Sequence, residues 1–281
     1  MRVFLAGATG VIGRHLIPLL TASGHQVTGL ARSPAAAQRL RALGAEAALA
    51  DVFDAAALTD ALVLAAPDAV IHQLTDLSGG RTDANARIRE IGTRNLVDAA
   101  RAAGAGRMIA QSIAWAYQPG PGPAAEDVPL DLAADGARGA TVAGVAALET
   151  AVAELPAWVV LRYGLLYGPG TWYAADAMMA DRARAGELTA DADVSSFVHV
   201  DDAAAAAAAA LGWPSGAVNV CDDEPAAGVD WLPVYCAAVG APAPANADGR
   251  HGWARGASNS RARDDLGWTP IHPSWRTGFS S

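Results

Sequence analysis

The chain has 281 residues, 52% of them apolar, and a formal net charge of −9. That length suits one large α/β domain, or one with a small appendage, and the acidic balance argues against nucleic acid and anionic membranes as partners. No apolar run of about 18 residues is free of charge, glycine or proline, so no membrane span is expected. The N-terminus shows no cleavage pattern of a secretory leader, and Cys221 and Cys236 have neither metal spacing nor the number for a disulfide framework. A cytoplasmic location is the expectation. All twenty basic residues are arginine; the chain contains no lysine.

Strand and helix patterns alternate from the start. Arg2 to Ala6 reads as a strand, Val11 to Ala22 as a helix ending at Gly24, Gln26 to Ala31 as a strand and Pro34 to Leu43 as a helix. A weak strand at Ala45 to Leu49, a helix at Ala55 to Leu64 and a strand at Ala69 to His72 follow. Asp83 to Ala103 reads as one long helix closed by Gly104, then Arg107 to Ala110 as strand, Gly139 to Glu154 as helix and Trp158 to Arg162 as strand. This alternation predicts a doubly wound parallel sheet. After Gly164, prolines, glycines and tryptophans break the pattern. The expected division is a dinucleotide-binding core over 1–164 and a smaller substrate lobe over 165–281, with 197–211 returning to the core. Residues 118–137 form a low-complexity loop, long enough to be functional or disordered.

The sharpest motif is Gly7-Ala8-Thr9-Gly10-Val11-Ile12-Gly13, between a strand and a helix. Gly7 suits a tight turn, Gly10 lets the backbone approach a pyrophosphate, and Gly13 lets the helix pack on the strand. The phosphates would then meet the helix N-terminus. The second strand ends in Ala31-Arg32-Ser33, with no acid to hold a ribose 2′-hydroxyl. Arg32 and Ser33 suit a 2′-phosphate, so NADP(H) is expected over NAD(H).

The Gly-x-x-Gly-x-x-Gly spacing resembles the short-chain dehydrogenase/reductase superfamily, in particular its extended, NAD-dependent epimerase/dehydratase branch. Further stretches carry the resemblance: Gly92-Thr93-Arg94-Asn95-Leu96, Gln111-Ser112-Ile113-Ala114-Trp115-Ala116-Tyr117, Leu161 to Gly170, Phe197-Val198-His199-Val200-Asp201-Asp202 and Leu266-Gly267-Trp268-Thr269-Pro270. The resemblance implies a Rossmann-type α/β fold with a small C-terminal substrate-binding lobe. It places Asp51 and Val52 at the adenine and Leu74 where the fourth strand passes the cofactor. Such relatives commonly dimerise, so a homodimer is a possible state. The substrate cleft is expected at the carboxyl ends of the strands, roofed by 164–180 and 215–281.

One part of the pattern is missing. The family works with a Tyr-x-x-x-Lys pair and a Ser or Thr. Aligning Glu149 with the family's glutamate puts Thr141 at the Tyr position and Val145 at the Lys position, and Ile113 falls at the Ser/Thr position. No shift of alignment recovers a lysine, because there is none, and no Tyr-x-x-x-Arg occurs. A hydride acceptor needs a proton donor only when the product is an oxyanion, so other groups are candidates. Tyr117, Tyr163 and Ser112 are the candidate catalytic or orienting hydroxyls; the alternative for each is packing. Trp115, Trp172 and Tyr173 are candidates for a flat wall against a ring-shaped substrate. His199 reads as structural, Glu149 as a tie between elements, and Asp201 and Asp202 as acids suited to the N-terminus of the alanine helix. No metal site is expected.

Three functions fit these readings. The first is an atypical NADP(H)-dependent oxidoreductase acting on a small apolar or aromatic metabolite. The second is a non-redox isomerase, cyclase or lyase that keeps the dinucleotide as a structural part. The third is a non-catalytic NADP(H)- or metabolite-binding protein.

Overall fold

The computed structural model describes residues 1–76 and 82–280. A seven-stranded sheet is built from β1 (Arg2–Ala6), β2 (Gln26–Ala31), β3 (Glu46–Leu49), β4 (Ala69–His72), β5 (Arg107–Ile113), β6 (Ala157–Tyr163) and the strand Gly216–Val220. Its order is β3-β2-β1-β4-β5-β6 and then Gly216–Val220. The pairings β1 with β2, β1 with β4, β2 with β3 and β4 with β5 are all parallel. This is the expected doubly wound Rossmann arrangement: the chain steps outward from β1 in one direction, returns, and continues the other way from β4.

Helices α1 (Val11–Ala22), α2 (Pro34–Ala42), α3 (Ala55–Ala65), α4 (Thr82–Arg87), α5 (Thr93–Ala102) and α6 (Gly136–Val152) alternate with these strands. Ser33 accepts a hydrogen bond from the Ala36 amide and Asp54 one from the Ala57 amide, capping α2 and α3. The single helix expected from Asp83 to Ala103 is interrupted. A π-turn, Ile88–Gly92, joins α4 to α5. Helix α6 also starts earlier than its alanine pattern suggested, at Gly136 behind Asp135.

The chain divides into two compact units. The first comprises Met1–Ser112, Leu132–Leu161 and Ala204–Ala217. Its core packs Phe4, Leu58, Leu62, Val70, Leu96, Val97, Met108, Leu148 and Val160 between sheet and helices. Small residues at Ala99, Ala100 and Ala151 let helices approach.

The second unit comprises Ile113–Asp131, Arg162–Ala203 and Val218–Ser281. It holds an aromatic core of Tyr167, Phe197, Trp231, Tyr235 and Trp275, with Tyr173 and Phe279 against it. The low-complexity stretch up to Asp131 lies in this unit, where Arg255 donates to the carbonyls of Gly122 and Pro121, both at 2.6 Å. Among the described residues, no helix is long and apolar enough to cross a membrane.

Candidate active site

The glycine turn lies at the end of β1. Gly7 has φ of +91°, a conformation that L side chains rarely adopt, and an added Cβ would run into the Gln73 carbonyl beyond β4. A Cβ on Gly13 would run into the carbonyl of Gly7. Gly10 differs. Its Cβ would meet only the Gly7 carbonyl oxygen, at 3.1 Å, with open space beyond. Gly10 is also the N-cap of α1; no side chain caps the helix and no acid sits in its first turn. Thr9 is exposed, Val11 half-buried and Ile12 buried. A cradle that a Cβ would fill, facing uncapped helix amides, fits a pyrophosphate.

The other positions of this half are also in the first unit. Arg32 is exposed at the end of β2, whereas the Ser33 hydroxyl is already engaged as the α2 cap. Asp51 is exposed and closes a turn by accepting from the Phe53 amide. Val52 is buried, and its carbonyl accepts from the Asn95 side-chain amide. Leu74 is half-buried, its amide held by His72 Nδ1 at 3.2 Å.

Two residues of this region escaped the sequence reading. His72 is fully buried at the end of β4, its Nε2 3.0 Å from Thr93 Oγ1. Burial, and secondarily the charge of Arg89, push its pKa down to about 4, so the ring is neutral at physiological pH. Arg89, in the π-turn, is only 8% exposed. The signal was available: a charge falls among the helical positions Asn85, Ile88, Gly92, Thr93 and Leu96, all of them buried.

The candidate hydroxyls have partners. In the first unit Ser112 donates to Glu149 Oε1 at 2.8 Å, tying β5 to α6, and Thr141 donates back to the Ala137 carbonyl. Val145 is buried on α6. In the second unit Tyr117 is buried and donates to Asn219 Oδ1 at 2.5 Å, with the Arg162 guanidinium 4.9 Å from its ring centre. Burial raises the Tyr117 pKa. The Tyr163 hydroxyl donates to the Ala203 carbonyl at 3.2 Å.

The aromatic candidates separate. Tyr173 stacks on Phe279 and meets Phe197, Trp231 and Tyr235 edge-on. Trp115 and Trp172 are more than a third exposed. His199 packs on His272 with ring centres 3.8 Å apart. Asp201 and Asp202 lie in the first turn of the alanine helix Val200–Ala209, as expected, and both oxygens of Asp202 also accept backbone amides, from Ile271 and His272, which anchors the C-terminal segment.

The model of the NAD dependent epimerase/dehydratase family matches residues 3–221. The chain belongs to that family. It is 47% identical, over 99% of each chain, to a 3-diazoavenalumate denitrifying reductase of a Streptomyces species. It is 32% identical to the 2-alkyl-3-oxoalkanoate reductase of Stenotrophomonas maltophilia, over 73% of this chain and 64% of the relative. Among solved structures, the UDP-glucose 4-epimerase of Thermus thermophilus in complex with NAD superposes with a TM-score of 0.77 at 25% identity, covering 100% of this chain and 97% of that one. The protein is thus an NAD(P)-dependent enzyme of the oxidoreductase type within the extended short-chain dehydrogenase/reductase superfamily.

Proposed function

We propose that this protein is an NADP(H)-dependent reductase that transfers hydride to a small, ring-bearing diazo carboxylate, with release of dinitrogen. The observation that carries the reading is full-length similarity to a denitrifying reductase in a chain that contains no lysine. When bound, the reduced dinucleotide supplies a hydride. In the net step a cationic C–N2⁺ group takes up that hydride. A C–H bond forms, the C–N bond breaks and N2 leaves, while the dinucleotide is oxidised. Charge and atoms balance with no proton moved. An acid such as the tyrosine of a Tyr-x-x-x-Lys pair has nothing to protonate in such a reaction, whereas reduction of a ketone creates an oxyanion and requires one.

The positions that replace the usual machinery suit this chemistry. Val145 is a fully buried aliphatic side chain on α6, Ile113 a half-buried one at the end of β5, and Thr141 keeps its hydroxyl on its own helix. We assign Tyr117, Tyr163 and Ser112 to holding their own elements in place, because each donates to a fixed acceptor. Trp115, Trp172 and Tyr173 remain the aromatic candidates for contact with a substrate ring. Arg32, exposed beyond β2 where no acid stands, supports the preference for NADP(H).

The test is an anaerobic assay of purified protein with NADPH and 3-diazoavenalumate, following dinucleotide absorbance and evolved N2. One N2 per NADPH oxidised is expected. N2 release without dinucleotide oxidation would favour instead a non-redox lyase that keeps the dinucleotide as a structural part.

A further inference from the structure

The Arg89 side chain is cationic, only 8% exposed, and unclaimed by any hydrogen bond or ion pair among the described residues. Its side chain lies along α6, where a Cβ added to Gly144 would sit 3.5 Å from Arg89 Cδ and 3.6 Å from Arg89 Cβ. Its charge is felt by His72, the last residue of β4. Gln73 follows, and the glycine turn packs on Gln73. The cation therefore stands near the carboxyl edge of β4, one strand over from the phosphate cradle of β1, and beside the α6 residue that precedes Val145.

Among the described residues, no hydrogen bond or ion pair takes this guanidinium, and burial is the sole influence on its pKa, which it lowers to about 10. Arg89 is still charged at neutral pH. Arg94, five positions on, shows the ordinary alternative: it is exposed and shared between Asp98 and Glu154. A cation drawn this far out of water with no counter-charge is costly. The backbone also departs from regularity to place it. In a regular helix neighbouring residues point about 100° apart, but the π-turn buries Ile88 and Arg89 together. Insertions of this kind recur at functional sites. Cost and distortion at one residue, in the crevice region where parallel sheets bind ligands, call for an anion.

We infer that Arg89 is a substrate-binding residue that receives an anionic oxygen group, the carboxylate of the substrate, and so supplies the positive charge that a lysine would bring in relatives. The inference rests on the reductase reading for the identity of the reaction, but its anion site can be measured without turnover. A planar fork of donors suits a carboxylate in two-point contact.

The probes are cinnamate and its uncharged analogue cinnamamide, titrated calorimetrically into protein saturated with NADP⁺. The wild type should bind cinnamate at least tenfold more tightly than cinnamamide. Arg89→Met should erase that preference, leave NADPH affinity within threefold, and melt no lower than the wild type, because it removes a charge that is largely withdrawn from water and has no counter-charge. Arg89→Lys should keep the sign of the preference but weaken cinnamate severalfold. A preference that survives Arg89→Met, or an Arg89→Lys protein with wild-type cinnamate affinity, would overturn the assignment. So would a selective loss of NADPH affinity, which would give the cation to the dinucleotide phosphates. Failure of NADPH-dependent N2 release with the Arg89-dependent preference intact would sink the reductase reading alone.

Discussion

The glycine turn and the α6 face belong to the same sheet unit but are made of different material. Residues 7–13 work through backbone: a positive φ at Gly7, close approach at Gly13 and an open cradle at Gly10. The face around Gly144 works through side chains, with Ser112 held by Glu149, His72 by Thr93, and Arg89 packed along the helix. A site built of backbone tolerates only glycine at its tight points. A site built of side chains can exchange its chemistry without disturbing the fold. This chain carries both kinds of site in one unit.

The backbone-built turn is most easily broken at Gly7. Gly7→Ala forces a Cβ into the Gln73 carbonyl and strains a left-handed backbone. It should cost about 3 kcal/mol or more of stability and abolish dinucleotide binding, read by denaturant unfolding and calorimetry. Near-wild-type behaviour would show that the turn is not rigid.

His72 sharpens the other side. Its folded pKa, about 4, lies below the unfolded value of 6.5 because of burial first and Arg89 second. The unfolded chain therefore takes up the proton first. The stability contributed by the neutral ring is complete above pH 6.5 and is lost as pH falls towards 4, amounting to about 3 kcal/mol. Buried Asp222, raised to about 8 by burial, pulls the opposite way as pH rises. The measurement is therefore the difference between wild type and His72→Gln in urea unfolding at pH 7.5, 6 and 5. That difference should shrink as pH falls; a constant difference would contradict the assignment.

Tyr117→Phe removes a buried hydrogen bond and leaves Asn219 Oδ1 short of a donor. It should lower stability by about 1–2 kcal/mol, with kcat reduced less than threefold. A loss of kcat of a hundredfold or more with stability unchanged would return Tyr117 to catalysis. Arg32→Ala is the smallest change: about tenfold weaker NADPH binding with NADH untouched.

Much of the fold was legible because period and punctuation agree in the first unit. The strands from β1 to β4 and helices α1 to α3 lie within a residue or two of their expected ends, since Gly24, Pro34 and Asp54 mark boundaries locally. The π-turn was not legible, because Ile88 to Gly92 looks helical at every position and the extra residue per turn is a product of packing. The loop after Tyr117 has low-complexity sequence but is pinned by Arg255, more than a hundred residues away. The glycine turn could be read from spacing, as its constraint is local. Arg89 could not be assigned in the same way, because one needs to see that nothing pairs with it.

Hydride transfer without a tyrosine acid is the central proposal. The most direct measurement is a single turnover of 3-diazoavenalumate with NADPH deuterated on the transferred C4 position, with product and gas analysed by mass spectrometry. One deuterium at the carbon that lost nitrogen, with one N2 released per NADPH oxidised, is the predicted result. Product lacking deuterium, or formed while NADPH stays reduced, would contradict it.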